Sequence, residues 1–568
     1  MKKAKNLLMR EGGPILEFGP FRLDLLRRSL ERDGQPIAIS GKALEILAIL
    51  LERRGEVVDK DDLMRQVWPD TAVEENNITV AISALRKALG ETASATKWIV
   101  TIPRRGYSFV GLAASQSLRS VAILPFSVLN QNGRNEYLGL GLADAVITRL
   151  GNTPLIVRPL ASVSRFAGQD PIQTGRDLGV DAVVVGSIRT ADDLIRVSVH
   201  LFRVRDSHPL WAQNFDVTTD HAFTLEDSIS ERIVSHLTGR LTGEQQSALN
   251  RRRTENPSAY TNYLRGRYYA KKYSEDGFRK ALAYLQAAID SDPGYALAHS
   301  GLADLFYDSS NLVFPPRDIM PRAKAAAQRA VELDPSLAAA HVSLGLIASK
   351  YEWDWEAAER EFQAALAIDP NLATAHLWYG TYRAQMGDFN RAIPELQRAQ
   401  ELDPLSGEIN AYLGLVLYWA RQYDDSINQF RQAITFDPTF VPSYVCFAWV
   451  LAASGNTKAA LEACEQAVER QSNAWTTLAL ARAQALAGDP VIAASTMDRI
   501  GKEAPRFVSG YDRAAVHAAL GQTDEAFAAL EDGYQARAEW MGYLKVDPQI
   551  DTLRSDPRYA TFLRRLNF

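Results

Sequence analysis

Five Asp-Pro pairs, at residues 292–293, 334–335, 369–370, 403–404 and 437–438, recur at intervals of 42, 35, 34 and 34 residues. A period of this kind calls for a unit that stacks on copies of itself, because one such unit cannot bury its own apolar face. The interior of each unit has a mechanical logic. Between Pro370 and Pro404, Gly380 lets two helices approach closely and Gly387 ends the first of them in a left-handed turn. Ala392 and Ala399 keep the crossing tight, and Pro404 stops the second helix. The next unit repeats this with Leu413, Gly414, Phe430, Ala433 and Pro438. Weaker units follow at Gly455/Ala460/Ala467, Gly488/Pro505 and Gly521/Ala526, giving about seven or eight in all, the first lengthened over Tyr260–Pro293.

A helix–turn–helix unit of this length resembles the tetratricopeptide repeat, and residues 257–568 are read as an all-α superhelix of such repeats. The concave face of such a superhelix is lined by the first helix of each unit and suits a peptide or a partner helix. Leu346, Leu377, Thr381, Leu415, Tyr418 and Trp449 hold the repeat positions of that lining, and equally those of the interhelix core. His299, His341 and His376 follow the same period, so they are read as packing between helices and not as a metal set. Cys446 and Cys464 also fall at packing positions, and two cysteines build neither a disulfide framework nor a cysteine-rich metal site.

The rest of the chain has other textures. Its 568 residues exceed one core. A hydrophobic fraction of 46% and a charged fraction of 23% are those of folded globular protein, and a net charge of −5 confines any nucleic-acid contact to a local patch. Near the start only Leu7, Leu8 and Met9 stand between charged residues, too short a run for a signal peptide. Nowhere do about 18 apolar residues follow one another, so the chain is read as cytoplasmic, with no membrane partner. Residues 113–119 read as one linker and 241–256 as a linker helix, which ends in the charged run before Pro257.

In residues 15–112 short strands frame three helices, at about Ala43–Arg53, Lys60–Val67 and Glu74–Leu89. In the third, Ile78, Ile82, Leu85 and Leu89 form one apolar stripe. The opposite face carries Asn76, Val80, Ser83, Ala84 and Lys87, flanked by Asn77, Thr79 and Arg86. Two strands follow, joined by Ile102-Pro103-Arg104-Arg105-Gly106, a basic tip suited to a minor groove or a phosphate backbone. Lysine and arginine number 14 here and aspartate and glutamate 14, so one copy should bind DNA modestly.

This stretch resembles the C-terminal DNA-binding domain of OmpR/PhoB-type response regulators. The resemblance rests on FGPFRLD at 18–24, the helix Lys42–Leu51, VVDKDDLMRQVWPD at 57–70, ISALRKALG at 82–90 and IPRRGYSFV at 102–110. It implies an α+β winged helix of a bacterial transcription regulator, with the third helix in the major groove of double-stranded DNA and the hairpin tip on the backbone. Arg86, Lys87, Arg105, Gly106 and Tyr107 match positions that the family uses there, and the loop around Pro69–Val73 matches the surface that faces RNA polymerase. Two departures stand out. Ser83 and Ala84 replace mid-helix arginines of many relatives, so the operator is not carried over. No receiver domain precedes the winged helix, so the phosphorelay kinship does not imply control by aspartyl phosphorylation of this chain.

Residues 120–240 alternate strands and helices, an α/β middle domain. In Leu194–Val204, Ile195, Val197, Val199 and Leu201 alternate with polar residues, and Ala191-Asp192-Asp193 makes a hairpin turn. SVAILPF at 120–126, GLADAVITRL at 141–150 and GVDAVVVGSI at 179–188 resemble the N-terminal domain of the translocation protein TolB. Gly139 and Gly141 open a helix without the third glycine of a dinucleotide fingerprint. The acidic run Glu56–Asp62 has no histidine or cysteine partner, and Asp59 takes a helix N-cap position. With no nucleophile–base set, no phosphate loop and no metal ligands, the chain is read as no enzyme and as needing no cofactor. The expected function is a regulator that reads promoter DNA, dimerises on it, and senses or docks a protein or ligand through its repeats. The alternatives are a scaffold whose winged helix docks protein, and a regulator of an enzyme in trans.

Overall fold

The computed structural model describes residues 15–18, 21–32, 34–53, 57–69, 76–90, 98–102, 105–109, 118–129, 136–151, 153, 155–191, 194–218, 224–237, 254–271, 274–310, 314–503 and 508–568. The chain forms two compact units, residues 1–118 and 119–568.

The first unit opens with an antiparallel meander: β1 (Ile15–Phe18), β2 (Phe21–Asp24), β3 (Ser29–Arg32) and β4 (Gln35–Ile37). Ser40 then caps α1 (Gly41–Glu52) by accepting from the Ala43 amide, which supplies one partner the first turn lacks. A short β5 (Val58–Asp59) leads into α2 (Lys60–Val67), and α3 (Asn76–Ala88) follows. The hairpin of β6 (Ile99–Ile102) and β7 (Gly106–Phe109) closes the unit, β7 lying between β5 and β6. Leu23, Leu30, Leu47, Leu63, Ile82, Leu85 and Phe109 meet in one core.

The second unit begins with a mixed sheet in the order β10–β8–β11–β12–β13, with β9 beside β11. Its strands are β8 (Ser120–Ile123), β9 (Ser127–Val128), β10 (Ile156–Val157), β11 (Ala182–Ala191), β12 (Leu194–Arg203) and β13 (His208–Thr218). The parallel pairs lie around β8, and the long antiparallel hairpins follow. In β12 Ile195, Val197, Val199 and Leu201 are buried while Arg196 and His200 are exposed, so one face packs against helices. Ala191 pairs with Leu194 across the hairpin, and the turn residues Asp192 and Asp193 lie outside the described residues. The helices of this layer are α4 (Glu136–Leu150), α5 (Leu160–Ser164), α6 (Pro171–Asp177) and α7 (Thr224–Leu237).

Eight helix pairs follow among the described residues. They are α8 (Pro257–Ala270) with α9 (Glu275–Ser291), α10 (Ala296–Ser309) with α11 (Pro316–Leu333), and α12 (Ala338–Ile347) with α13 (Trp355–Ile368). Next come α14 (Ala373–Gln385) with α15 (Phe389–Leu402), α16 (Gly407–Trp419) with α17 (Tyr423–Phe436), and α18 (Val441–Ala453) with α19 (Thr457–Arg470). The last are α20 (Ala474–Leu486) with α21 (Pro490–Glu503), and α22 (Gly510–Ala519) with α23 (Thr523–Gln535). A Cβ on Gly380 would lie 2.3 Å from Leu396 Cδ1, so only glycine fits that crossing. Gly387 ends α14 at φ 83°, and in the following unit Arg421 takes the same left-handed turn at φ 63°.

The Asp-Pro turns share a second device. The side chain six residues after each proline bonds back to that proline's carbonyl: His299 to Pro293 at 3.2 Å, His341 to Pro335 at 3.2 Å and His376 to Pro370 at 2.9 Å. Asn410 and Tyr444 donate in the same way to Pro404 (2.9 Å) and Pro438 (3.1 Å). The other ring nitrogen of His341 and of His376 meets Glu361 and Glu395 on the second helix of the same pair. Each histidine therefore serves its own turn. Among the described residues no group of three or more His, Cys, Asp or Glu could hold a metal ion. Cys446 and Cys464 are buried, and burial pushes the Cys464 thiol up to about 12.

Beyond α23 the repeat stops. Two 3₁₀ turns, Glu539–Tyr543 and Pro548–Leu553, and α24 (Pro557–Arg565) pack back on the first helices of the units. Tyr543 stacks on Trp419 at 4.5 Å, and Trp540 meets Trp449 edge-on at 5.4 Å. Lys350 pairs with Glu539, and the Trp355 indole donates to the Leu566 carbonyl. This corrects the reading of an open groove. Leu346, Leu377, Thr381, Leu415, Tyr418 and Trp449 are all buried, because the chain's own C-terminal segment and the neighbouring helices cover that face.

The middle sheet and the repeats are bolted together. Arg158 donates to Leu178 O at 3.0 Å on its own side, and to the carbonyls of Glu401 (3.1 Å) and Leu402 at the end of α15. Ser162 donates to Asp403 at 2.7 Å, and Arg165 to Leu405 O at 2.8 Å. Arg158 is buried here and its pKa is lowered by that burial, so these carbonyls and that of Gly179, four in all, compensate a desolvated cation.

Candidate nucleic-acid interface

Helix α3 owes its place to one stripe. Ile78, Ile82, Leu85 and Leu89 are buried against the core, which turns Asn77, Thr79, Val80, Ser83, Ala84 and Lys87 outward. Val80 is 61% exposed, an apolar side chain left in solvent at mid-helix between hydrogen-bonding neighbours. The side chain of Asn76, the first residue of the helix, lies outside the described residues.

Arg86 and Lys87 share the last turn, where cations favour the helix dipole. Their roles differ. Lys87 is exposed. The Arg86 guanidinium bonds the Ile99 carbonyl at 2.8 and 3.2 Å and the Thr101 hydroxyl at 2.9 Å. It ties α3 to the hairpin. The expected place of Tyr107 on DNA is corrected: it is buried, opposite Val58 of β5 and Thr101 of β6.

The hairpin is anchored at its base. A Cβ on Gly106 would lie 1.9 Å from the Val58 carbonyl, so glycine alone lets β7 pair with β5. The Lys60 amide donates to the Arg105 carbonyl at 3.1 Å and fixes the turn to α2, while Arg105 itself is exposed. Pro103 and Arg104 lie outside the described residues, as do Asp70–Val73 of the loop before α3. Asp59 takes the N-cap position of α2 without a side-chain bond. Asp62 pairs with Arg65 and Arg53, and Arg65 holds its carboxyl below the usual range.

The family profile described as "Transcriptional regulatory protein, C terminal" matches residues 34–109, which span β4 to β7. The N-terminal unit is a winged-helix DNA-binding domain of the OmpR/PhoB type. A second profile, "Tetratricopeptide repeat", matches residues 269–313 and 380–439. The chain is 26% identical over 444 residues to the transcriptional regulator HilA of Salmonella typhimurium, covering 74% of this chain and 70% of that protein. It is 31% identical over 113 residues to the transcriptional regulatory protein PhoP of Escherichia coli, 19% of this chain and 50% of that protein. Among solved structures, the Klebsiella pneumoniae RstA DNA-binding domain in complex with the RstA box is 28% identical, covering 17% of this chain and 96% of that one, with a TM-score of 0.16.

The chain thus joins a winged-helix regulator domain to a repeat arm of the kind that docks protein, and both are non-catalytic folds. No helix among the described residues is long and apolar enough to cross a membrane. Sequence reasoning missed the tether role of Arg86. Its signal was present in the spacing: a long cation in the last turn of α3, just ahead of the strand whose carbonyls it reaches.

Proposed function

We propose that the chain is a cytoplasmic transcription regulator that reads promoter DNA through Asn76, Asn77, Thr79, Val80 and Ser83 and grips phosphates through Lys87, Arg104 and Arg105. The exposed Val80 carries this reading, because it stands on the one face of α3 that the core does not use. A valine or threonine meets a thymine methyl and an asparagine pairs with adenine, so half-sites containing A·T are expected. The relative HilA, named a transcriptional regulator, agrees with this.

The winged helix is assigned to residues 15–112, a TolB-N-like middle domain to 120–240 and the repeats to 257–568. The segment around Pro69–Val73 is the surface offered to RNA polymerase, and two copies bind direct repeats as a homodimer. The docking surface for a protein partner is sought on exposed second helices, since the first-helix residues once expected there are buried. The test is binding-site selection with the full chain and with Asn77→Ala. The variant should relax preference at one base position and keep its non-specific affinity. The same motif from both proteins would refute the assignment.

A further inference from the structure

The sheet of the middle domain ends on an open edge. β13 borders β12 alone, and among the described residues no strand lies on its other side. From Trp211 onward it pairs with β12 without interruption, the one shift of register falling at Leu201 and Phe202. Among the described residues no hydrogen bond from outside the sheet reaches the backbone of residues 210–217. An open row of amides and carbonyls recruits another strand, so long edges are ordinarily blunted by lysine, a mid-strand proline or a covering segment. Residues 208–218 hold no lysine or arginine, and their one proline, Pro209, stands before the regular pairing begins.

The two faces of β13 differ. Trp211, Gln213, Phe215 and Val217 lie opposite Leu201, Val199, Val197 and Ile195 of β12. The β12 residues are buried, while those of β13 are only partly buried, so the helix layer gives out before the edge. Trp211 meets Phe215 at 6.0 Å and His236 of α7 at 5.8 Å. On the other face Ala212, Asn214 and Asp216 are exposed, and Arg196 donates to both oxygens of Asp216 at 2.6 and 2.8 Å.

We propose that this edge is a dimer joint, in which β13 pairs antiparallel with β13 of a second copy about a two-fold axis at Gln213. The joint rests on the homodimer reading above and gives it a surface. In that register Trp211 stands opposite Phe215 of the second copy, and the reverse, so two aromatic pairs extend the face that the helices leave half covered. Ala212 stands opposite Asn214 and Leu210 opposite Asp216, so no like charges meet. The match is self-complementary, as a two-fold contact requires, and this favours a copy of the chain over a foreign strand. The axis relates the arms, since the winged helix belongs to a separate compact unit.

The experiment is sedimentation of the full chain over a concentration series without DNA. Wild type should form a dimer. Ala212→Lys with Asn214→Lys places lysine opposite lysine twice, and the dimer dissociation constant should rise at least tenfold. Ala212→Glu with Asn214→Glu should behave alike, and an equimolar mixture of the two double variants should recover the dimer, which excludes misfolding as the cause. The joint is overturned if wild type stays monomeric, if the lysine variant dimerises as tightly as wild type, or if the mixture stays monomeric. A monomer that still binds a promoter cooperatively would overturn the joint and keep the homodimer on DNA. A charge-sensitive dimer that binds a promoter without cooperativity would keep the joint and overturn that reading.

Discussion

Arg86 and Lys87 are neighbours with the same charge and different work, and this separates two kinds of DNA-binding defect. Lys87 points to solvent, so Lys87→Ala should remove one phosphate contact and shrink the slope of log affinity against log salt by roughly 0.9. Arg86 spends its donors on Ile99 and Thr101. Arg86→Ala should therefore weaken binding with the slope intact, because it frees the hairpin without removing a counterion-releasing group. Equal slope changes in the two variants would place Arg86 on the DNA. The turn device of the repeats allows a test of the same precision. His376→Ala loses bonds to Pro370 and Glu395 and should cost about 1–3 kcal/mol in urea unfolding. His376→Asn should recover much of that, since Asn410 already does this work one unit on. An asparagine no better than alanine would mean that the ring packs and does not cap.

Helix pairs are governed by close approach. Gly380→Val would drive side-chain atoms into Leu396 and the Ala392 carbonyl, at 2.3 and 2.9 Å from the first added carbon. A loss of about 1–3 kcal/mol or more is expected in chemical denaturation, and an unchanged midpoint would deny the tight crossing. Such pairs were legible in the sequence because the period, the crossing glycines and the stopping prolines repeat at fixed offsets. The stripe of α3 was legible for a like reason, as one helix shows its own buried face. The turn cap was hidden because its chemistry is kept while its residue type changes from histidine to asparagine to tyrosine. The six first-helix residues stayed open between groove and interhelix core because what decides it for two of them is far along the chain and outside the period: Tyr418 meets Asp547, and Trp449 meets Trp540. Tyr107 was misplaced because its motif marks the hairpin, while only the fold shows that the ring turns inward.

At the scale of the molecule, buried acids set how stability answers to pH. Burial holds the Asp369 carboxyl at about 6 and that of Asp512 at about 7, against 3.8 for the free side chain. Between those values the folded chain binds more protons than the unfolded one, so stability falls as pH rises from about 4 to about 7. His341 acts with the same sign, because its bond to Glu361 raises its pKa and that contribution is lost as pH climbs through the raised value. The denaturation midpoint of the full chain should be lower at pH 8 than at pH 5.5, and Asp512→Asn should flatten the dependence. A midpoint that rises over that interval would contradict it. Tethering is the second property of this scale. A winged helix of zero net charge should hold one half-site weakly, and a second copy joined through the arm raises the effective concentration. Residues 1–112 alone should bind a natural promoter far more weakly than the full chain, whose isotherm should be cooperative. Equal, non-cooperative isotherms would sink this. Finally, Arg158 and Leu402 are 244 residues apart in sequence and one hydrogen bond apart in space. The peptide bonds between residues 241 and 253 are therefore not what keeps the middle sheet on the repeats. Cut there, the two pieces should co-purify, and a cell that makes them from separate transcripts should regulate as one with the intact gene does, so that two genes do the work of one.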